Sequence, residues 1–117
     1  MAIPTVPTAI TPIVIPNAYA AAGIDITYVA CDAANGNSVP STGREILIFK
    51  GSGSPYLVTI WSSADPQGRL TDLTKTVGST EEWATPLLPG SGFVQAGATI
   101  MFTAANAAVT VACLRLP

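Results

Sequence analysis

The side chains able to do chemistry in this chain of 117 residues are few: seven carboxylates, five basic groups, two cysteines and no histidine. Without histidine there is no Ser/His/Asp or Cys/His nucleophilic arrangement and no histidine-bearing zinc site. The group that most often moves protons near neutral pH is also missing. Glu81 and Glu82 are adjacent, and neighbours on a strand point to opposite faces, so they cannot serve one reacting atom. A solvated edge is the expected place for them. Asp25, Asp32, Asp65 and Asp72 are too widely spaced for a sequence-local calcium loop. The glycines of GSGSP (51–55) suggest a phosphate loop, but no helix-forming segment follows to offer its amides, so the stretch reads as a turn. The inventory predicts a protein that is not an enzyme and holds no cofactor or metal.

Other polar and aromatic positions are candidates for contact rather than catalysis. Arg44 and Glu45 open an apolar strand, where they serve either a cross-subunit salt bridge or as an exposed pair guarding a sheet edge. Trp61 and Trp83 read as core-rim or interface anchors; with Tyr56 they are alternatively stacking surfaces for a saccharide. Nothing before Arg44 is basic, so the start lacks the charged region of an export or transit signal, and synthesis and retention in the cytosol are expected. In that setting Cys31 and Cys113 read as free, buried thiols.

The elements that carry these residues are extended throughout. The opening MAIPTVPTAITPIVIP has prolines at 4, 7, 12 and 16, which exclude a helix interior. Residues 1–20 therefore read as an extended arm, with Ile3, Val6, Ile10, Ile13 and Ile15 too apolar for a solvated linker. These five are interface candidates, for the arm's own domain or for a neighbouring subunit. Residues 21–117 read as one domain. Ile24–Ala30 alternates as a strand; CDAANGNSVPSTG reads as a loop; ILIF and YLVTIW, flanking GSGSP, read as a hairpin. Both alternation sets of that pair are apolar, unlike a sheet with one wet face. TDLTKTV, Glu82 to Leu87, FVQ, ATIMFTA and VTVACLRL complete an all-β sandwich of about eight strands.

Composition adds a partner. Charged residues make up 10 per cent of the chain, against about 25 per cent in an average soluble domain. With 49 per cent hydrophobic residues, part of the surface is expected to be covered by other protein chains, as a homo-oligomer or a larger assembly. A net charge of −2 and scattered basic residues argue against nucleic acid. The uncharged run from Trp83 to Leu114 is broken by prolines and glycines, which argues against a membrane span.

The order of segments STGREILIFKGSGSPYLVTI, DLTKTV, EEWATPLLPGSGFVQ and ATIMFTAANAAVTVACLRLP resembles small proteins encoded among the head genes of tailed bacteriophages, the capsid decoration or cement proteins. GREILIFK and the terminal VTVACLRL carry most of the resemblance, which covers residues 41–117. EEWATPLLPGSGF departs from it in its tryptophan and paired glutamates. The resemblance implies a jelly-roll-like sandwich that forms homotrimers on the capsid exterior, binds the major capsid protein and bridges capsomers, with the N-terminal arm touching neighbouring subunits. A head–tail or tail component is the related alternative.

Overall fold

The computed structural model describes residues 4–15, 24–63, 72–86, 93–95 and 97–117. Ile3, the AYAAAG stretch, most of the SSADPQGR turn and the end of PLLPGSG lie outside the described residues.

The strands among the described residues are β1 (Thr8–Ala9), β2 (Ile13–Val14), β3 (Val29–Ala30), β4 (Asn37–Pro40), β5 (Glu45–Lys50), β6 (Tyr56–Ile60), β7 (Leu73–Val77), β8 (Glu82–Ala84), β9 (Thr99–Ala104) and β10 (Thr110–Arg115). The protein is all-β, with two sheets in place of a helical scaffold. The first sheet has the order β1-β4-β9-β6-β7; the second has the order β2-β10-β5-β8, with β3 also paired to β10. Both sheets are mixed, because β1 runs parallel to β4 and β2 parallel to β10, while the other pairs are antiparallel.

The sheets share one core. Leu47 and Phe49 on β5 and Val111 and Cys113 on β10 are buried together with Val58, Ile60, Ile100 and Phe102 from the first sheet. Phe49 meets Phe102 edge-on, with centroids 5.3 Å apart and planes at 85°. Each fully buried side chain of this size stabilises the fold by roughly 1.5–3 kcal/mol.

ILIF and YLVTIW are strands, as their residues predict, but they do not form a hairpin. β5 pairs with β10 and β8 in the second sheet, whereas β6 pairs with β7 and β9 in the first. GSGSP is thus an arch that carries the chain from one sheet to the other, with Gly53 at φ 84°. The reason lies in the doubly apolar pattern: each strand needs a neighbour on both edges and cover on its inner face, which a two-stranded ribbon does not provide.

Two further expectations are corrected. Ile24–Ala30 pairs only at Val29 and Ala30; β2 of the arm occupies Leu114 and Arg115, where Ile26 and Asp25 of a longer β3 would pair. Asn37–Pro40, inside the expected loop, is strand β4, paired with β9 from Phe102 to Thr99. Its turn-forming composition is overridden by Val39, which is fully buried, and by a buried Asn37 whose amide is satisfied on both sides.

Candidate functional site

The described part of the arm lies on its own domain, crossing from the edge of the first sheet to the edge of the second. At the first edge, Thr8 N donates to Gly36 O at 2.9 Å and Ile10 N to Ser38 O at 2.7 Å. Asn37 Nδ2 donates to Thr8 O at 3.2 Å while its Oδ1 accepts from Asp32 N at 2.8 Å. The Thr8 hydroxyl donates to Asp32 Oδ2 at 2.6 Å. Hydrogen bonds from Thr8, then from Asn35 and Ala34, hold the Asp32 carboxyl at about 2, below its ordinary value of 3.8. Asp32 and Asn35-Gly36 form an Asx-type turn, a signal present in the sequence that points to the residues that seat the arm. At the second edge Ile15 N donates to Arg115 O at 2.9 Å.

Between these two clamps the arm bridges an apolar groove of about 520 Å³, lined by Ile10, Pro12 and Ile13 on one side and by Val29, Val111 and Cys113 on the other. Of the interface candidates in the arm, Ile10, Ile13 and Ile15 are half-buried on their own domain, whereas Val6 is 78% exposed.

Glu45, expected beside Arg44 at the surface, is fully buried. Its carboxylate accepts from Thr42 N at 2.8 Å, Thr42 Oγ1 at 2.6 Å, Gly43 N at 3.1 Å, Arg44 N at 3.2 Å and Arg115 Nε at 2.7 Å. Burial pushes the carboxyl up, but the bonds from Thr42 and Arg115 outweigh it and hold the group at about 2. The pair it makes is therefore inside the chain, because the turn at 41–44 folds its amides over the strand's first side chain. Arg44 stays exposed, with its carbonyl accepting from Leu116 N at 3.0 Å.

Trp83 sits on β8 with its ring stacked on Phe49, centroids 5.6 Å apart and planes at 22°. One ring face is therefore taken by the core. Trp61 follows β6 half-buried; its amide donates to Met101 O at 3.0 Å and its carbonyl accepts from Gln95 Nε2 at 3.1 Å. The structure does not bring the two tryptophans into contact with each other among its aromatic pairs.

The adjacent acids diverge. Glu81 pairs with Lys75 at 3.1 Å and accepts from Gly78 N at 3.0 Å, which together hold its carboxyl below the ordinary range. Glu82 turns to Lys50, its register partner on the neighbouring strand β5 of the second sheet, 3.8 Å away. Among the described residues no three histidine, cysteine, aspartate or glutamate side chains converge on one point, and no helix is long and apolar enough to cross a membrane. Cys31 and Cys113 are buried free thiols, and burial pushes each up to about 12.

The outer faces of the two sheets differ in chemistry. On the first, Thr59 lies directly between Thr103 and Thr74, and Leu57 lies opposite Thr76. On the second, Ile46 lies opposite Leu114, and Ile48 between Ala112 and Ala84. Lys50 and Glu82 close one end of this apolar row, where Tyr28 donates its hydroxyl to Glu82 Oε1 at 3.4 Å and places its ring 4.8 Å from Lys50 Nζ. Burial and the Glu82 charge push the Tyr28 hydroxyl above its ordinary value. Val14, Ile24, Ile26 and Val29, each at least 38% exposed, belong to the segments along the edge of β10 opposite β5, with Val14 and Val29 in register with Arg115 and Val111.

No family model, curated protein or solved structure matches the chain.

Proposed function

We propose that this protein is a non-enzymatic virion component: a decoration protein that binds the major capsid protein on the exterior of a tailed-phage head and bridges capsomers as a homotrimer. It is made in the host cytoplasm and acts on the shell. The observation that carries the proposal is the apolar outer face of the second sheet, where Ile46, Ile48 and Leu114 stand half-buried with Ile13 in register beside Leu114. A contiguous apolar surface of this kind, on a chain with 12 charged residues, suits permanent burial against other protein.

The strand orders support a jelly-roll sandwich. Setting the arm aside, β3-β10-β5-β8 faces β4-β9-β6-β7, and each turn from β3 to β4, β5 to β6, β7 to β8 and β9 to β10 changes sheet. That is the order of two Greek keys rolled into a double sheet, a form that serves in viral capsids among other roles. Fold alone does not assign function. The apolar face and the resemblance of GREILIFK and VTVACLRL supply the rest.

Sedimentation with purified phage head shells stripped of decoration tests the proposal. Saturable co-sedimentation, with a solution mass three times that of the chain by light scattering, is expected. A folded protein that leaves such shells unbound overturns the capsid role.

A further inference from the structure

The first clamp on the arm closes over an Asn-Gly pair. Asn35 is exposed, and the residue after it is a glycine, with no side chain to shield its backbone nitrogen from the Asn35 amide. The groups around this pair converge on Asp32. Gly36 N donates to Asp32 O at 2.8 Å, Asn35 N to Asp32 Oδ1 at 3.0 Å, and Asn35 Nδ2 to Asp32 Oδ2 at 3.2 Å. The Thr8 hydroxyl donates to the same Oδ2 at 2.6 Å. The arm also lies on Gly36 itself: Thr8 N donates to Gly36 O at 2.9 Å, and a Cβ on Gly36 would come within 2.6 Å of Pro4 Cγ. One carboxylate oxygen thus serves the arm and the Asn35 amide together.

We propose that Asn35 is a modification site, at which spontaneous deamidation in water irreversibly loosens the arm of its own chain. In that reaction Gly36 N gives its proton to solvent base and attacks Asn35 Cγ. The new N–C bond closes a succinimide ring as the Cγ–Nδ2 bond breaks, and Nδ2 leaves as ammonia with a proton taken from water. Water then opens the ring at either carbonyl, which leaves aspartate or isoaspartate at position 35. The seated arm slows the first step. Both reacting groups are tied to Asp32, and Thr8 and Pro4 hold the Gly36 peptide, so the seat must open locally before attack. The product removes the restraint. A donor to Asp32 Oδ2 becomes a carboxylate, which accepts only, and its charge repels the oxygen that Thr8 uses. Isoaspartate also lengthens the backbone of the turn that seats the arm. This inference concerns the arm on its own domain and stands apart from the capsid role.

The test is to age the full chain in mildly alkaline buffer and follow the peptide carrying Asn35 by mass, for replacement of its amide by a hydroxyl group. Conversion is expected, slower in the native chain than in urea. It should run about fivefold faster in Thr8→Val, which takes one hydrogen bond from the seat, and Thr8→Ser, which keeps the hydroxyl, should restore the wild-type rate. The converted wild-type chain, separated by ion exchange on its added charge, should react with a thiol reagent severalfold faster than the unconverted chain at Cys113, which lines the groove under the arm. Asn35→Asp should match it. The proposal is overturned if the native chain shows no conversion over a period in which the chain in urea converts fully, or if the converted chain leaves Cys113 as unreactive as before. A Thr8→Val rate equal to that of the wild type, with an intact sheet by circular dichroism, overturns the control of the reaction by the arm. Because the converted wild-type chain is itself measured, the thiol readout does not depend on any variant folding.

Discussion

Arg115 donates from Nε to Glu45 Oε2 at 2.7 Å, joining the end of the last strand to the start of β5 across 70 positions of sequence. The same guanidinium reaches Pro40 O at 3.1 Å through Nη2, so the pair also ties the second sheet to the end of β4 in the first. Glu45 is fully buried, and its four other hydrogen bonds come from the turn that precedes it. A carboxylate so enclosed is a fixture of the fold, and the amides of 42–44 have it as their acceptor.

Glu45→Ala removes that acceptor and leaves a guanidinium, only a quarter exposed, without its partner. Breaking one side of a buried pair costs about 3–5 kcal/mol. Urea denaturation should show a loss of this size, and Arg44→Ala, on an exposed side chain, should show less than about 0.5 kcal/mol. Equal, small effects from both would mean that the cradle contributes little.

Acid should undo the same contact. The Glu45 carboxyl lies at about 2 in the folded chain against an ordinary value of 4.5, so the unfolded chain binds protons first as the pH falls. The stability it contributes is complete above pH 4.5 and is lost as the pH drops toward 2. Asp32 acts in the same direction, between 3.8 and about 2. Urea midpoints measured from pH 7 to pH 2 should therefore fall below pH 4.5, and Glu45→Gln should flatten the upper part of that fall. An unchanged profile in the variant would remove Glu45 from the acid response.

The residues of ILIF and YLVTIW made the strands legible, but with both alternation sets apolar they did not show which face is buried; the core takes Leu47, Phe49, Val58 and Ile60. Their partners were not legible. A short turn between two apolar runs predicts a hairpin, and only the tertiary requirement that both faces and both edges be satisfied sends β5 and β6 to different sheets. The same holds for Glu45. Its neighbour Arg44 looks like the natural partner, but successive strand residues face opposite ways, so the partner had to come from elsewhere. The arm's seat was partly visible, since Asp32 with Asn35-Gly36 announces a turn, yet nothing local ties that turn to Thr8, 24 positions earlier.

The arch at GSGSP makes a sharp prediction about two glycines. A Cβ on Gly51 would lie 1.8 Å from the Gly78 carbonyl oxygen, a backbone atom that cannot turn aside. Gly51→Ala should cost about 3 kcal/mol by overpacking. Gly53 has φ 84° with nothing within 4 Å of a Cβ, so Gly53→Ala should cost only the left-handed penalty of about 1–2 kcal/mol. Thermal melts of the two variants should rank in that order, and the reverse ranking would contradict the close approach of Gly51 to Gly78.

The thiols should be silent until the chain opens. Cys31 and Cys113 are 2% and 1% exposed, and burial holds both near 12, so almost no thiolate exists at pH 8. A thiol-specific chromogenic reagent should titrate close to no groups in the native protein and two in urea. Rapid reaction of one native thiol would identify Cys113, whose side lines the groove under the arm, and would mean that the arm lifts readily.

The two outer faces provide the most direct test of how the protein assembles. Ile48 lies in a row between Ala112 and Ala84, whereas Leu57, 48% exposed, lies on the threonine-bearing face of the other sheet. If the second sheet is the covered face, Ile48→Lys places a charge where neighbouring protein must pack, and a desolvated unpaired charge is costly. Self-association or shell binding should then fall by at least tenfold in light scattering and sedimentation, with the monomer fold kept because the side chain does not enter the core. Leu57→Lys should leave both unchanged. Loss of association in Leu57→Lys alone would move the assembly surface to the first sheet, and the apolar row of Ile46, Ile48 and Leu114 would then be no more than the cover of a thin domain.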